Sequence, residues 1–163
     1  MSTIGFIGKE WERKGLPKVI SIWRALKTNI PNLKLRIAGV ESVSISHLFK
    51  ENDSDVEVMG FIRKKESFYE SIDLLIHPAK FEAFGMVVSE ALFMQVPVLC
   101  SFECGASEIL EPSHGISMPE NTGLAQWVAE AHRLLKADID VAYERKWANV
   151  AIEYSGIYAK LFS

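Results

Sequence analysis

Residues 74–101, LLIHPAKFEAFGMVVSEALFMQVPVLCS, combine two short apolar segments with a helical segment between them. The first apolar segment, 74–76, predicts a buried strand, and the second, 98–101, predicts another that begins after Pro97. The segment 86–94 between them predicts a helix. Because a helix between two buried strands is the usual crossover connection of a parallel pair, this stretch indicates an α/β fold.

The same alternation extends along the rest of the chain. Apolar segments predict further strands at 4–7, 33–38, 56–59 and around Ile116. Helical patterns predict helices from Pro17 onward, over 44–50, near 67–71, as a short turn near 107–110, and in two apolar stripes at 124–135 and 143–161. Right-handed crossovers then give a Rossmann-like, doubly wound parallel sheet of about six strands, with helices on both faces.

The composition limits the class of protein. The 163 residues, 48% apolar and 24% charged, suffice for one compact domain over 1–163. A formal net charge of -3 argues against a general nucleic-acid binder, which would carry a basic excess. No apolar run approaches the ~20 residues of a membrane span, and no signal peptide is evident. Two cysteines, Cys100 and Cys104, are too few for a disulfide framework, so a cytoplasmic protein with reduced thiols is expected.

The loop that follows the strand at 74–76 is the first place to look for chemistry, because ligands of doubly wound sheets bind at the carboxyl ends of the strands. Glu82 lies in that loop, and Gly85 precedes the predicted helix. The free amides and partial positive charge of a helix start suit a phosphate, which a glycine lets approach closely. Glu90, on the first turns of the helix, is placed to accept hydrogen bonds from ribose hydroxyls. For Glu82 alone, a solvated loop acid is an equal alternative.

The loop after the first strand, 8–15, supplies positive charge. Lys9 and Lys14 are both placed to face an incoming diphosphate. The alternative is an ordinary solvated loop, because the segment mixes basic residues with Glu10 and Glu12. Its glycines have neither the Walker A spacing nor the dinucleotide-binding spacing. Phosphate binding at this edge therefore depends on the two lysines together with the helix start.

Glu82 and Glu90, separated by seven residues, resemble the paired-glutamate signature of the family-four retaining glycosyltransferases. Other segments match that family too: Phe84-Gly85, Glu90-Ala91-Leu92, Val96-Pro97-Val98, Cys104-Gly105-Ala106, Glu108-Ile109, Phe6-Ile7-Gly8-Lys9, Lys14-Gly15-Leu16 and 56–62. The resemblance covers essentially the whole chain, but only the carboxyl-terminal half of the family's two-domain GT-B fold. It implies a nucleotide-sugar-binding domain, inactive alone, whose partner is an absent amino-terminal acceptor domain or a separate subunit.

The resemblance also implies roles for single residues. Lys9 and Lys14 would contact the diphosphate of a UDP- or GDP-linked sugar, and Glu82 would contact the sugar hydroxyls near the reacting carbon. These three are the predicted catalytic residues. Lys9 stands where the family often has arginine, so a point charge replaces a two-pronged contact. The predicted substrate-binding residues are Glu90 for the ribose, the amides of Phe84, Gly85, Met86 and Val87 for phosphate or sugar, the backbone near Ile62 for the base, and His77.

Neither a cofactor nor a catalytic metal is implied by the resemblance. Asp53-Ser54-Asp55 and Asp138-Ile139-Asp140 mimic the acid pair of metal-dependent sugar transferases, but we interpret both as solvated acids. The first precedes a strand, and the second links two helices. The chain's histidines lack metal-ligand spacing: His47, His77, His114 and His132. His77, at a strand end, orients a loop or touches the donor, with a purely structural histidine as the alternative.

Two alternatives to a transferase donor domain stay open. One is a non-catalytic sugar-nucleotide-binding subunit that works with a separate acceptor-binding chain. The other is a glycosidase that uses Glu82 and Glu90, whose carboxyls would lie about 5–9.5 Å apart. The basic loop and the helix start would then have no role.

A further resemblance concerns the pathway. His77-Pro78-Ala79 and Cys104-Gly105-Ala106 look like segments of bacterial enzymes that build lipopolysaccharide cores or capsules. It implies transfer of a hexosyl group to a polysaccharide or lipid-linked saccharide. It also implies that the full enzyme acts at the inner face of the membrane, where the other domain would dock.

Overall fold

The computed structural model of the chain describes residues 2–137, 141, 151, 152 and 155. Six parallel strands form one sheet in the order β3-β2-β1-β4-β5-β6. The strands are β1 (Thr3–Ile7), β2 (Lys34–Ala38), β3 (Val56–Val58), β4 (Leu74–His77), β5 (Val98–Ser101) and β6 (Gly115–Met118). The helices are α1 (Leu16–Lys27), α2 (Ser42–Ile45), α3 (Glu66–Tyr69), α4 (Met86–Phe93) and α5 (Leu124–Lys136). The prediction of a Rossmann-like α/β sheet is confirmed.

The core lies on both faces of this sheet, because successive strand residues point to opposite sides. In β4, Leu74 and Ile76 join the cluster packed under α1 and α5, whereas Leu75 joins the cluster packed under α3 and α4. Trp23 of α1 and Trp127 of α5 are fully buried in the first cluster. Fully buried apolar strands covered on both sides are the expected composition of a parallel sheet.

The strand order reverses at the centre of the sheet. β1 pairs with β2 on one side and with β4 on the other. The loop after β1, residues 8–15, and the loop after β4, residues 78–85, therefore leave the sheet side by side. A crevice between such loops is the place where doubly wound sheets bind ligands.

Two local predictions were wrong. The helix predicted over 44–50 is α2 followed by a single 3₁₀ turn at Ser46–Leu48. Asp53 is not a solvated acid, because its side chain is only 7% exposed and pairs with Arg24. The hydrogen bond from Arg24 holds the pKa of Asp53 below its ordinary value. Asp55 pairs likewise with Lys27 in the last turn of α1, so the two acids anchor a loop to a helix end.

Predictions for the carboxyl-terminal part fall mostly outside the described residues. This applies to the acid pair Asp138-Ile139-Asp140 and to the apolar stripe predicted over 143–161, because Ala151 is the only member of that stripe among the described residues. Ala151, Ile152 and Ser155 are helical, and all three are exposed. Over the described part of the chain, no helix is long and apolar enough to cross a membrane.

Candidate functional site

Lys14 and Glu82 meet between the two central loops. The Lys14 Nζ lies 2.9 Å from the Glu82 Oε2, and the side chains are 17% and 15% exposed. Arg13 Nη1 lies 3.9 Å from the same oxygen. Glu82 is therefore not a freely solvated loop acid, and Lys14 is not a freely solvated lysine. The structure thus brings together Lys14 and Glu82, two of the four charged side chains that were expected to surround the diphosphate, which also included Lys9 and Glu90.

The two loops are locked together by hydrogen bonds to backbone carbonyls. The amide of Lys80 donates to the carbonyl of Arg13 at 2.9 Å, and the Arg13 guanidinium donates to the carbonyl of Phe81. Gly15 precedes α1 with a φ of 81°, and a Cβ there would overlap the carbonyl oxygen of Pro78. Only glycine combines that backbone conformation with so close an approach.

A third loop, between β5 and β6, fixes the start of α4. The amide of Glu82 donates to the carbonyl of Glu103 at 2.9 Å, and the amide of Gly105 returns a hydrogen bond to the carbonyl of Glu82 at 3.0 Å. Gly85 precedes α4 with a φ of 84°, and a Cβ there would overlap the Sγ of Cys104. The first amides of a helix have no partner within it, so the locked start of α4 presents donors next to Glu82.

The charge of Glu82 follows from competing effects. Burial raises the pKa of the Glu82 carboxyl, but the hydrogen bond and charge of Lys14, aided by Arg13, outweigh it. The pKa is therefore held below its ordinary value, and Glu82 is a carboxylate at neutral pH. A fixed carboxylate can stabilise positive charge that develops beside it.

Glu90 lies further along α4 and has different partners. Its carboxylate accepts from Lys65 Nζ at 2.7 and 3.0 Å and from the Tyr69 hydroxyl at 2.7 Å. Glu90 is four residues beyond Met86, which corresponds to about 6 Å along a helix. The structure thus places the two glutamates on one loop–helix unit, each beside its own lysine. Lys65 and Tyr69 were not predicted as site residues; the basic run Arg63-Lys64-Lys65 after β3 was the available signal for Lys65.

Lys9 is separate from the Lys14–Glu82 pair. Its Nζ lies 5.5 Å from the ring centroid of Phe61, whose side chain is 60% exposed in the loop after β3. The loops after β1, β2 and β3 are joined by backbone hydrogen bonds: Gly8 donates to the carbonyl of Ala38 and Gly39 to that of Gly60. Ile62 follows Phe61 and is half-buried against the core under α4. Lys9 and Ile62 therefore belong to the β3 side of the crevice.

His77 is fully buried at the end of β4. Neither ring nitrogen has a hydrogen-bond partner in the described structure. Burial, together with the nearby charge of Lys14, lowers the pKa of His77 to about 4. The ring is therefore neutral at physiological pH and lies inside the protein, close to Lys14 and Glu82.

The depressed pKa of His77 predicts an acid-sensitive fold. The unfolded chain takes up the proton near the ordinary pKa of ~6.5, whereas the folded chain resists it until about 4. The free energy of unfolding should therefore keep its full value above about pH 6.5. It should fall by up to ~3 kcal/mol as the pH approaches 4. Urea unfolding between pH 7.5 and 4.5 should give a clearly smaller loss for His77→Gln than for the unmodified chain; equal losses would contradict the assignment.

Exposed aromatic residues lie in the loops at the carboxyl ends of the strands. Phe61, Phe81, Phe84 and Phe102 lie in the loops after β3, β4 and β5, and each is more than half exposed. Met86, at the start of α4, is also exposed. A cluster of large apolar side chains at one edge of a domain is typical of a surface that another molecule or domain covers. Within the described residues, no group of three or more His, Cys, Asp or Glu side chains is arranged to hold a metal ion.

Comparison with known proteins places this chain among sugar transferases. The family described as "Glycosyl transferases group 1" matches residues 2–153. The capsular polysaccharide biosynthesis glycosyltransferase CapM of Staphylococcus aureus is 27% identical over 108 residues, which are 63% of this chain and 28% of CapM. The chain thus spans less than a third of that relative.

Solved structures share the fold. WaaG, a glycosyltransferase involved in lipopolysaccharide biosynthesis, superposes with a TM-score of 0.78 at 23% identity, over 96% of this chain and 43% of WaaG. A point mutant of S. aureus TarM, crystallised in complex with fondaparinux, α-GlcNAc-glycerol and UDP, gives a TM-score of 0.75 at 20% identity. It covers 86% of this chain and 30% of TarM. At this level of identity the likeness concerns the fold.

Proposed function

We propose, from the premise that this chain belongs to the glycosyl transferases group 1 family, that it binds a nucleoside-diphosphate sugar. The reaction would transfer a hexosyl group from this donor with retention of configuration. The observation that carries the proposal is the Lys14–Glu82 pair, 2.9 Å apart between the loops after β1 and β4 and beside the start of α4. A cation, a carboxylate and free helix amides thus converge on one crevice. Such a set matches the charges that develop when the bond between the sugar and the diphosphate breaks.

The chemistry assigns a role to each charge. Breaking the bond between sugar and phosphate leaves growing negative charge on the diphosphate and oxocarbenium character on the sugar. Lys14 and the amides at the start of α4 would stabilise the first, and the Glu82 carboxylate would stabilise the second. An ammonium group carries three donors, so Lys14 can keep its bond to Glu82 while it also contacts a phosphate oxygen. Lys9 would supply a second positive charge from the β3 side.

The nucleoside would occupy the side of the crevice between α4 and β3. Glu90 would accept hydrogen bonds from the ribose hydroxyls, and the backbone near Ile62 would contact the base. A TarM mutant, which shares this fold, was crystallised with UDP, and this supports a nucleoside diphosphate as the ligand class, with uridine or guanosine as the proposed nucleoside. The amides of Phe84, Gly85, Met86 and Val87 would lie along the phosphates or the sugar. His77 would act from within the protein, through the loops that hold Lys14 and Glu82.

A second part is required for the acceptor. The chain spans 28% of CapM and 43% of WaaG, and exposed aromatic residues lie in the loops after β3, β4 and β5. We propose that an acceptor-binding domain, or a separate subunit in a split enzyme, covers this edge, and that the chain alone binds donor without transferring sugar. The names of CapM and WaaG favour a capsule or lipopolysaccharide saccharide as the acceptor. We further propose that the second part brings the chain to the inner face of the membrane.

The glycosidase alternative fits the site less well. A glycosidase needs one carboxylic acid with a raised pKa to protonate the leaving group. Lys14 instead holds the pKa of Glu82 below its ordinary value, so Glu82 is a poor general acid. Release of free sugar from an oligosaccharide by this chain would reverse that conclusion.

Binding of a nucleoside diphosphate tests the proposal. Calorimetric titration of the chain with UDP and with GDP should give saturable binding of one of them. Glu90→Gln should weaken that binding about tenfold, because a charged acceptor of the ribose hydroxyls becomes neutral. Glu51→Gln, at an exposed position before β3, makes the same charge change and should leave the affinity unaltered. Absence of binding by the unmodified chain, or equal effects of the two substitutions, would count against the proposal.

A further inference from the structure

Glu90 is held by a buried tyrosine. The Tyr69 hydroxyl lies 2.7 Å from Glu90 Oε2, and Tyr69 is 1% exposed at the end of α3. The same hydroxyl lies 3.4 Å from the carbonyl oxygen of Val87. A hydroxyl has a single proton, and 2.7 Å is the ordinary length of an O–H···O bond whereas 3.4 Å is not. The proton therefore points to the carboxylate.

Two further features keep this hydrogen bond in place. The ring of Tyr69 packs in the core with Phe68 at a centroid distance of 5.4 Å and with α4, so the hydroxyl has little freedom to move. Burial first, and then the hydrogen bond to the charge of Glu90, raises the pKa of Tyr69 above its ordinary value. The hydroxyl thus remains a donor at every pH at which the protein works.

Lys65 contacts the same carboxylate in a different way. Its Nζ lies 2.7 Å from Oε1 and 3.0 Å from Oε2 of Glu90, but its side chain is 47% exposed. An exposed lysine pair adds little stability and exchanges readily with water or ligand groups. Oε1 of Glu90 is thus open to replacement of its partner, whereas Oε2 is bound from inside the protein.

We infer that Tyr69 is the positioning residue that orients the Glu90 carboxylate for a ribose diol, with Lys65 as the exchangeable partner that the sugar hydroxyls displace. This inference rests on the proposed function, because it assigns the nucleoside to Glu90. It makes the preference for a ribonucleotide over a deoxynucleotide a property of two residues, one of which never touches the ligand. The class of ligand is therefore a ribonucleoside diphosphate.

The test compares two ligands on matched variants. The unmodified chain should bind UDP or GDP, whichever it accepts, at least about tenfold more tightly than the 2′,3′-dideoxy form. Tyr69→Phe removes only the hydroxyl and should reduce that preference to about threefold or less, with little change in affinity for the dideoxy ligand. A merely structural role of Tyr69 would weaken both ligands alike. Tyr69→Phe combined with Glu90→Gln should lose no more of the preference than Glu90→Gln alone, because the two residues act as one unit.

Lys65→Met is the matched variant, because it removes the other donor to the same carboxylate. It should keep the ribose preference, since an exposed donor is replaced by water. Retention of the preference in Tyr69→Phe, its loss in Lys65→Met, or a lack of preference in the unmodified chain would each overturn the inference while leaving nucleotide binding intact. Failure of the unmodified chain to bind either ligand would instead contradict the proposed function, and the inference that rests on it would fail as well.

Discussion

Lys14→Met is expected to lower the affinity of the chain for its nucleoside diphosphate by about 10- to 100-fold, which corresponds to one or two charge-assisted hydrogen bonds. Methionine keeps most of the aliphatic stem of lysine, so packing changes little. Two effects add in the same direction. The diphosphate loses a cation, and Glu82, only 15% exposed, loses its 2.9 Å partner. Only Arg13, at 3.9 Å, then offsets the negative charge of Glu82 beside the phosphates.

The Lys14→Met experiment has an internal control and a distinct failure. Lys50→Met makes the same charge change at an exposed position before β3 and should leave the affinity unchanged. Calorimetry at two salt concentrations should show a weaker salt dependence for Lys14→Met than for Lys50→Met, since fewer charges act on the ligand. Equal affinities of the two variants would show that Lys14 does not contact the diphosphate. The binding site would then lie elsewhere than between the two central loops.

Gly15→Ala should destabilise the fold by about 3 kcal/mol or more, which is a large fraction of the 5–15 kcal/mol of a typical domain. A left-handed backbone costs an alanine about 1 kcal/mol, and the new Cβ overlaps the carbonyl oxygen of Pro78. The carbonyl of Pro78, a buried residue, is part of the backbone and cannot rotate away as a side chain can, so α1 or the loop after β4 must shift. Either shift moves the hydrogen bond between Lys80 and Arg13 and separates Lys14 from Glu82.

Gly123 provides the comparison for Gly15. It also precedes a helix, α5, but its φ is -59° and a Cβ there would meet nothing within 4 Å. Gly123→Ala should therefore change the free energy of unfolding by less than about 1 kcal/mol. Urea unfolding of the two variants measures the difference directly. If both variants lose the same stability, the close approach of Gly15 to Pro78 is not what joins the two loops.

Much of the fold was predictable from local pattern. The strands β1, β4 and β5 are continuous apolar runs, and α1 and α5 have apolar stripes, so their type and approximate bounds followed from periodicity. The parallel arrangement followed because strand–helix alternation allows few other topologies. The placement of Lys14 and Glu82 at one edge followed in turn, since both lie just after strands.

Other features depended on distant partners. Asp53, predicted to be solvated, is buried against Arg24, which is 29 residues away in the chain. Tyr69 and Lys65 meet Glu90 from 21 and 25 residues away. Periodicity indicates which side chains are buried, but it carries no record of which buried polar group faces which.

Residues 74–101 alone specify a strand, a helix start with an acid before it and a second strand, because apolar periodicity and glycine reflect local backbone energetics. The meeting of Lys14 with Glu82, the burial of His77 and the pairing of Tyr69 with Glu90 arise when β1 and β4 become neighbours and α3 packs against α4. These contacts are weak or absent in an extended chain. Closing the sheet excludes water, so the partly buried charges of Lys14, Glu82 and Glu90 are stabilised by partners within the protein, whereas His77 stays neutral instead.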